Sequence, residues 1–303
     1  MKKTETLQAP GARLYYEVQG SGPILLMIPG GPTDAGIFAA VTPLLAEHFT
    51  VVPYDPRGNS RSVPDDPALE QDIDVHGDDA ARLVAELGGE PAYVFGSSGG
   101  AQIALNLAAR HPDLVRVVVA HEPPCVRLLP DADQVAAGME EVASTYEREG
   151  VPAGMQKFNE LIGMSEEDAP QGPPSPEQQE MFGRLMGNLG YFLGKGVRPI
   201  SSYRPDFEAL RSGSPRIVVG IGESTEGQLA RRSAIALAEQ AGLEPVVFPG
   251  GHGGFADARG VRGQARRGAA RLTARSLSSR GQETELRLSA RSLSSRGQET
   301  ELR

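Results

Sequence analysis

The sequence has few of the residues from which metal centres and disulfides are built. Its 303 residues include one cysteine, Cys125, five histidines and no tryptophan. A single cysteine excludes an internal disulfide and is typical of a reducing compartment, so we expect a cytoplasmic protein. The histidines are scattered, and together with the cysteine they show no spacing typical of a zinc site. We therefore expect no zinc site.

Long apolar runs are also absent. The longest of them have the length of a strand, so no segment is expected to form a transmembrane helix. The first three residues are basic at Lys2 and Lys3, but polar residues follow instead of an apolar core, so we expect no secretory signal. A hydrophobic content of 39% is sufficient for a large buried core. These features predict a soluble globular protein that has no membrane partner.

Basic residues are scarce outside the C-terminal part of the chain. Residues 259–303 contain 11 arginines and four glutamates, whereas residues 1–258 contain 19 basic and 35 acidic residues. An acidic body disfavours nucleic acid as the main partner. Residues 272–287 recur almost unchanged at 288–303, and this polar repeat has no apolar face to bury. We expect the basic tail, residues 259–303, to be disordered.

The most informative stretch joins an apolar run to a helix-forming segment through Gly96-Ser97-Ser98-Gly99-Gly100. A G-x-S-x-G sequence in a tight turn from strand to helix exposes the central serine, which is Ser98 here. The flanking glycines leave room for the close approach of helix and strand. A glycine-rich turn can also bind phosphate, but neither GxGxxG nor GxxxxGK[ST] occurs in the chain.

Apolar strand-like runs alternate with helix-like segments, which predicts an α/β protein with a mostly parallel sheet flanked by helices. We predict a hairpin within residues 11–28 that leads into a buried strand, Ile24–Ile28. Further strands are predicted near residues 50–54, 93–97, 114–120, 216–221 and 245–248.

Residues 125–212 have a different composition, rich in Met, Pro, Gly and acidic residues, with helical pieces near 132–149, 152–163 and 176–193. We predict that this segment is a helical cap inserted into a core formed by residues 1–124 and 213–258. Its Met and aromatic residues are expected to form the cap's own core and, in part, an apolar substrate pocket. They are Met139, Met155, Phe158, Met164, Met181, Phe182, Met186, Tyr191 and Phe192.

A serine hydroxyl is a weak nucleophile near neutral pH and needs a base within hydrogen-bond distance. His252 is the best candidate because it lies in a glycine-rich loop after a predicted strand. The other histidines have ordinary settings at helix ends, in a polar stretch or beside an acidic residue. Since binding groups gather at the carboxyl ends of parallel strands, we expect Ser98 and His252 to meet there.

Four loops at predicted strand ends together resemble the α/β-hydrolase fold family, over about residues 11–257. The Ser98 turn resembles the family's nucleophile elbow, and Gly251-His252 resembles the glycine-histidine pair before the final helix. Residues 29–32 (PGGP) resemble the HGGP oxyanion loop, with proline in place of histidine. Residues 55–62 (DPRGNSRS) resemble the D-x-R-G-x-G-x-S loop, with Ser60 in place of glycine.

This resemblance implies a cofactor-free serine hydrolase with an α/β-hydrolase fold and an inserted helical cap. It implies that Ser98 is the nucleophile, that His252 is the base, and that an acid between them in the chain orients the histidine. It also implies an oxyanion hole made by the backbone N–H groups of Gly31 and Gly99, since Pro32 has no N–H to offer.

Two glutamates are candidates for the triad acid. In most family members the acid follows the strand before the last helix–strand pair, where this chain has Thr225 with Glu223 and Glu226 beside it. The other location follows the strand after the nucleophile helix, as in haloalkane dehalogenases, and Glu122 occupies it. A carboxylate beside two prolines at a buried strand end is rarely a solvent-exposed charge without a role. We therefore predict Glu122, with Glu223 as the alternative.

The resemblance implies hydrolysis of a small, mainly apolar ester, lactone or related acyl compound. Ser98 disfavours haloalkane dehalogenase and epoxide hydrolase chemistry, because those relatives carry aspartate at this position. Two alternatives remain at this stage. Cofactor-independent haloperoxidases, perhydrolases and some lyases resemble the chain in the same motifs. A non-catalytic binder of small molecules is the second alternative, since fold alone does not determine function.

Overall fold

A mixed β-sheet forms the centre of the computed structural model, which describes residues 2–164 and 176–256. Within these residues the sheet has nine strands in the spatial order β1-β2-β4-β3-β6-β7-β8-β9, and β5 pairs with β2. In chain order the strands are β1 (Lys3–Ala9), β2 (Ala12–Gly20), β3 (Ile24–Ile28), β4 (Thr50–Pro53), β5 (Val63–Pro64), β6 (Ala92–Ser97), β7 (Val115–His121), β8 (Arg216–Gly222) and β9 (Val246–Phe248).

The six strands β4, β3, β6, β7, β8 and β9 are parallel to one another. Their apolar runs are long enough to be covered on both faces, as parallel strands usually are. Leu26 of β3, Val94 of β6 and Val118 of β7 are buried on one face of the sheet. The prediction of a mostly parallel sheet flanked by helices is confirmed. Because these strands are parallel, the loops after β3, β4, β6, β7, β8 and β9 emerge at one edge, called here the carboxyl edge.

The predicted hairpin within residues 11–28 is wrong. Strand β2 pairs antiparallel with β1 and touches β4 at its end, whereas β3 lies between β4 and β6. Strand β1 cannot be recognised in the sequence, because most of its side chains are exposed and polar. It therefore lacks the apolar alternation of a half-buried strand. Charged side chains such as Lys3 and Glu5 also protect this edge of the sheet from pairing with another chain.

Nine α-helices lie within the described residues, and two of them flank the centre of the sheet. They are α1 (Thr42–Leu45), α2 (Ile73–Glu86), α3 (Gly99–Arg110), α4 (Ala132–Glu149), α5 (Val151–Ile162), α6 (Pro176–Tyr191), α7 (Val197–Ser202), α8 (Phe207–Ser212) and α9 (Leu229–Ala241). Helix α2 begins after Asp72, whose side chain accepts a hydrogen bond from the backbone N–H of Asp74. Its buried residues pack with those of α3 and the sheet in the main apolar core.

Helices α4 to α7 lie between β7 and β8, where the sequence predicts a cap at residues 125–212. A second apolar core includes Met139, Val142, Phe192 and Leu193 of this insertion, and Leu229 of α9 packs with them. Helices α4, α5 and α6 match the three predicted helical pieces. The division into core and cap stays a prediction. Residues 165–175 of the insertion and the predicted disordered tail, 259–303, lie outside the described residues. No helix in the described ranges is long and apolar enough to cross a membrane.

Candidate active site

Ser98 lies in the turn between β6 and α3 and has a positive φ of 55°. Such a conformation costs about 1–3 kcal/mol for a residue with a side chain and persists only where the surrounding structure imposes it. A Cβ on Gly96 would lie 2.3 Å from the carbonyl oxygen of Gly100, and a Cβ on Gly100 would lie 2.3 Å from that of Ile28. Both glycines are therefore required, and the turn holds Ser98 at the carboxyl edge.

Glu122 and His252 are joined by a hydrogen bond of 2.6 Å between Oε2 of the glutamate and Nδ1 of the histidine. The Glu122 side chain is fully buried after the end of β7, whereas that of His252 is 27% exposed. The other carboxylate oxygen, Oε1, accepts hydrogen bonds from the backbone N–H of Gly222, at 2.8 Å, and from the hydroxyl of Thr225. Each oxygen of this buried carboxylate thus has a donor.

The hydrogen bonds determine the charge of Glu122. Burial alone would raise its pKa, but the bonds from His252, Thr225 and Gly222 outweigh burial and lower the pKa to about 2. Glu122 is therefore ionised at neutral pH and can only accept hydrogen bonds. It follows that Nδ1 of His252 carries the proton, which leaves Nε2 free to accept one from a substrate or a nucleophile.

Glu223, the alternative acid, is exposed after β8 and forms no hydrogen bond with His252 in the described part of the chain. Thr225, which the resemblance places at the more common acid position, donates its hydroxyl hydrogen to Glu122. The usual acid position here supplies a hydrogen-bond donor to a carboxylate on the neighbouring strand.

Ser98 is not hydrogen-bonded to His252 among residues 2–164 and 176–256, although Glu122 is. Contacts between a nucleophile and its base are often long in free enzymes and tighten only in the complex with substrate. The His252 loop is anchored by Phe255, whose ring centroid lies 5.5 Å from those of Phe38 and Phe95. This apolar contact packs the His252 loop against Phe95 of β6 and against Phe38.

His121 adds a second imidazole to the same cluster, with its ring centroid 6.2 Å from that of His252. It is buried, and desolvation lowers its pKa to about 4, although the charge of Glu122 acts in the opposite direction. His121 is therefore neutral at pH 7. It supports the His252 loop by its contacts with the rings of Phe248 and Phe255, at 5.4 and 5.8 Å.

The two predicted oxyanion glycines, Gly31 and Gly99, lie beside each other. A Cβ on Gly99 would lie 3.7 Å from the backbone nitrogen of Gly31. The loop before Gly31 presses on the nucleophile turn, because a Cβ on Gly30 would lie 2.5 Å from the Cβ of Ser98. Gly31 has a φ of 55°, which favours glycine at this position.

The oxyanion loop, residues 29–32, and the following Thr33 are held from the core by Asn59. The Nδ2 of this buried side chain donates to the carbonyl oxygens of Gly31, at 2.9 Å, and Thr33, at 2.8 Å. The preceding loop residue Asp55 is also buried; its carboxylate accepts a hydrogen bond from the backbone N–H of Ala35, at 2.9 Å, and two from the Arg61 guanidinium. These contacts fix the carbonyl side of the loop.

Two side chains of the insertion contact the oxyanion glycines. The Cδ1 of Ile200 lies 3.5 Å from the position of a Cβ on Gly99, and the Cε2 of Phe192 lies 4.0 Å from that of a Cβ on Gly31. Phe192 in turn packs edge-on against Phe158, with ring centroids 5.1 Å apart. Phe192 and Ile200 therefore form an apolar surface beside the oxyanion glycines. Met181 and Tyr191, which the sequence suggests as lining of this pocket, contact loops of the core instead.

A cavity of about 20 Å³ adjoins Gly31 and Gly99, on the side of α2. Its lining residues are Pro29, Gly31, Pro56, Asn59, Gln71, Ile73, His76, Gly99, Gly100, Ile103 and Ile200. The volume fits about one water molecule. Both ring nitrogens of His76 and the Oδ1 of Asn59 are buried without a hydrogen-bond partner among the described residues. Burial lowers the pKa of His76 to about 4, so it is neutral at pH 7.

No group of three or more His, Cys, Asp or Glu side chains within the described ranges could hold a metal ion. Three residues of the site, Asn59, Thr225 and Phe255, have roles that the sequence does not predict. Asn59 appears in the sequence only as a turn residue, and Thr225 as a missing aspartate. Phe255 offers a weak signal, since it is the one aromatic residue after the Gly-rich His252 loop.

A model of the family described as alpha/beta hydrolase fold matches residues 23–156. An uncharacterised hydrolase, YraK of Bacillus subtilis (strain 168), is 40% identical over 256 residues, which cover 82% of this chain and 89% of the relative. A 2-(acetamidomethylene)succinate hydrolase of Mesorhizobium japonicum is 29% identical, covering 78% of this chain and 84% of the relative. The structure of a thermophilic esterase from Thermogutta terrifontis superposes with a TM-score of 0.67 at 22% identity, covering 89% and 98% of the two chains.

Proposed function

This chain belongs to the α/β-hydrolase fold family and is a hydrolase, and we propose that it is a serine hydrolase that acts through Ser98, His252 and Glu122. The proposed substrate is a small, mainly apolar ester, lactone or related acyl compound. The single observation that carries the proposal is the 2.6 Å hydrogen bond between the ionised, buried Glu122 and His252. This bond orients His252, the base that a serine nucleophile needs. Glu122 follows β7, which pairs with β6, the strand before Ser98.

In the proposed reaction, Nε2 of His252 takes the proton of the Ser98 hydroxyl while Oγ attacks the carbonyl carbon. The carbonyl oxygen becomes an oxyanion, which accepts hydrogen bonds from the N–H groups of Gly31 and Gly99, each worth about 3 kcal/mol in the transition state. His252 then gives the proton to the leaving alcohol, and an acyl-enzyme remains. Water, deprotonated by His252, hydrolyses this ester and restores Ser98.

The apolar contacts above the oxyanion glycines support a mainly apolar substrate. Phe192 and Ile200 lie next to Gly31 and Gly99, and the Nδ2 of Asn59 is committed to hydrogen bonds with the loop. One relative is itself named as the hydrolase of an acetamido compound, 2-(acetamidomethylene)succinate, which supports a small acyl compound as substrate class. A cytoplasmic location stays a prediction from the sequence.

The proposal is tested with p-nitrophenyl esters graded from acetate to octanoate, assayed on the wild type, Ser98→Ala and Ser97→Ala. Ser97 is the matched control because it is the neighbouring buried serine of the same turn. We expect the wild type to hydrolyse the short esters, Ser98→Ala to lose about 10⁴-fold or more in kcat/KM, and Ser97→Ala to retain most activity. Equal loss in both variants, or activity that survives without Ser98, would refute the proposal.

A further inference from the structure

One face of α6 lies against the loops of the carboxyl edge. Four side chains spaced three, four and three residues apart form this face, which we call the docking face, and this spacing places them on one side of a helix. They are Met181, Arg184, Asn188 and Tyr191. Met181 lies beside Gly36, where a Cβ would be 3.3 Å from Met181 Cγ. Arg184 and Asn188 are hydrogen-bonded to Asp34 and Ser60, respectively. The Tyr191 ring lies against Gly58, where a Cβ would clash with it.

Asn188 is buried, with 5% of its surface exposed, although it lies on a largely polar helix. Its Nδ2 donates to the carbonyl oxygen of Pro32 and to the hydroxyl of Ser60, both at 2.8 Å. Its Oδ1 accepts a hydrogen bond of 2.7 Å from the backbone N–H of Ser60. A buried amide without such partners would be strongly destabilising, so these bonds determine where the side chain lies. Pro32 directly follows Gly31, so Asn188 contacts the oxyanion loop itself.

Ser60 stands where the family's loop motif has glycine, and its φ is 50°. Residues with a side chain are disfavoured in this conformation. The structure shows what the hydroxyl does there: it donates to Oδ2 of Asp34 at 2.9 Å and accepts from Asn188. A glycine at this position would relieve the backbone but would remove the hydrogen bond from the hydroxyl to Asp34.

Asp34 completes the connection between α6 and the oxyanion loop. It is buried, and its Oδ1 accepts hydrogen bonds from the backbone N–H of Gly36 at 2.7 Å and from Nη2 of Arg184 at 3.3 Å, while Arg184 Nε donates to Oδ2. Burial alone would raise the pKa of Asp34, but these bonds and the one from Ser60 lower it. Asp34 is therefore ionised, and Arg184 on the insertion is its counter-ion.

We infer that Asn188 and Ser60 are positioning residues that hold the Gly31 N–H in the oxyanion hole, so that the hole depends on the docking of α6. The oxyanion loop lies between two asparagines: Asn59 holds the carbonyl oxygens of Gly31 and Thr33 from the core, and Asn188 holds that of Pro32 from the insertion. The inference rests on the proposed serine hydrolase chemistry. It assigns a role in transition-state binding to residues that do not touch the substrate.

The test compares Asn188→Ala with the wild type on the best p-nitrophenyl ester and with an alkyl trifluoromethyl ketone. Addition of Ser98 to this ketone forms a hemiketal whose oxyanion occupies the same hole. We expect kcat to fall about ten- to hundredfold with KM changed less than about twofold, and the inhibition constant of the ketone to rise by the same factor as kcat/KM falls. If Asn188 only stabilised the fold, the inhibition constant of the ketone and kcat/KM would not change by the same factor.

Arg198→Ala is the matched control, because this insertion arginine pairs with Glu140 and Glu147 within the insertion. We expect it to keep kcat within about twofold. Ser60→Gly is the second variant in case Asn188→Ala does not fold: it should lower kcat in the same direction without lowering the melting temperature, since it relieves a positive φ. The double variant should lose less than the product of the two single losses.

The outcomes separate this inference from the proposed function. A wild type that hydrolyses esters through Ser98, together with an Asn188→Ala variant of unchanged kcat, or one whose ketone affinity is unchanged, overturns the inference alone. Additive losses in Asn188→Ala and Ser60→Gly overturn the joint role of the two residues. A wild type without Ser98-dependent hydrolysis overturns both the function and the inference.

Discussion

The two halves of the candidate site are built in different ways. The acid–base half, Glu122 with His252, is held by groups of the core alone: the N–H of Gly222, the hydroxyl of Thr225 and the ring of Phe255. The oxyanion half is held from the core by Asn59 and from the insertion by the docking face of α6. Within the described residues, the hydrogen-bond donors to Glu122 thus come from outside the insertion, whereas the loop proposed to bind the transition state is also held from the insertion.

The halves also differ in how completely their polar groups are paired. Both oxygens of Glu122 have donors, and its burial is offset by hydrogen bonds. Beside the oxyanion loop, the Oδ1 of Asn59 and both nitrogens of His76 are buried without partners in the described part of the chain. Unpaired buried groups weaken a region, so the oxyanion half should tolerate movement that the acid–base half does not.

The largest effect is expected from breaking the acid–base half. Glu122→Gln leaves a neutral side chain beside His252, which favours the wrong tautomer and no longer stabilises the imidazolium. We expect kcat to fall about 10³- to 10⁴-fold. Glu223→Gln is the matched control and should stay within about twofold. The ranking is measured from kcat on one ester, and a larger loss in Glu223→Gln would transfer the acid role to that residue.

A smaller loss is expected from the core side of the oxyanion half. Asn59→Ala removes the hydrogen bonds to Gly31 and Thr33 and lets the loop move, so kcat should fall about ten- to hundredfold with little change in KM. Asn159→Ala, a substitution in α5, controls for loss of an asparagine. Steady-state kinetics on the same ester measures both, and an Asn59→Ala variant with wild-type kcat would show that the loop is held elsewhere.

A loss of about tenfold in kcat is expected for Thr225→Val, which keeps the shape of the side chain but removes the hydroxyl donor to Glu122. With one donor fewer, the pKa of Glu122 should rise and its hold on His252 should weaken. Exposed Ser224→Ala serves as the control. Unchanged kcat in Thr225→Val would mean that Gly222 and His252 alone are sufficient to position the carboxylate.

The smallest effect is expected on the free energy of unfolding, through His76, which lies near Gly31 and Gly99. The pKa of His76 falls from 6.5 to about 4 on folding, so the unfolded chain binds a proton between these pH values that the folded chain does not. Stability is therefore full above about pH 6.5 and decreases as the pH falls towards 4, by at most about 1.4 kcal/mol per pH unit for this proton. His76→Gln should flatten this slope in urea titrations. An unchanged slope in His76→Gln would contradict the buried neutral state.

Much of the fold is predictable because parallel strands that are buried on both faces read as continuous apolar runs. Ile24–Ile28 and the strand before Ser98 are examples. Strand β1 is not predictable in this way, since its stability comes from backbone pairing with β2 and its side chains are mostly exposed. The choice of partner for β2 depends on that pairing, which leaves no apolar pattern in the sequence.

The residues of the candidate site also divide into those that the sequence predicts and those that it does not. Ser98 and His252 follow from motifs whose local geometry the sequence dictates, and Glu122 from its place at a strand end. The docking face of α6 could not be predicted, because helical periodicity defines a face but not the loop against which it packs. Met181 and Tyr191 were therefore expected only as members of the cap core or of the substrate pocket, whereas they lie on Gly36 and Gly58. Their positions depend on contacts more than 100 residues away in the chain, such as that between Asn188 and Ser60.

The central claim, that Ser98 is an activated nucleophile, is tested most directly by covalent labelling with a fluorophosphonate probe. The folded wild type and Ser98→Ala are treated across a range of pH, and the intact mass and the labelled peptide are determined by mass spectrometry. We predict one adduct per chain of the wild type, on Ser98, and none on Ser98→Ala. A folded wild type that stays unlabelled throughout the range, or that is labelled at another serine, would contradict the account.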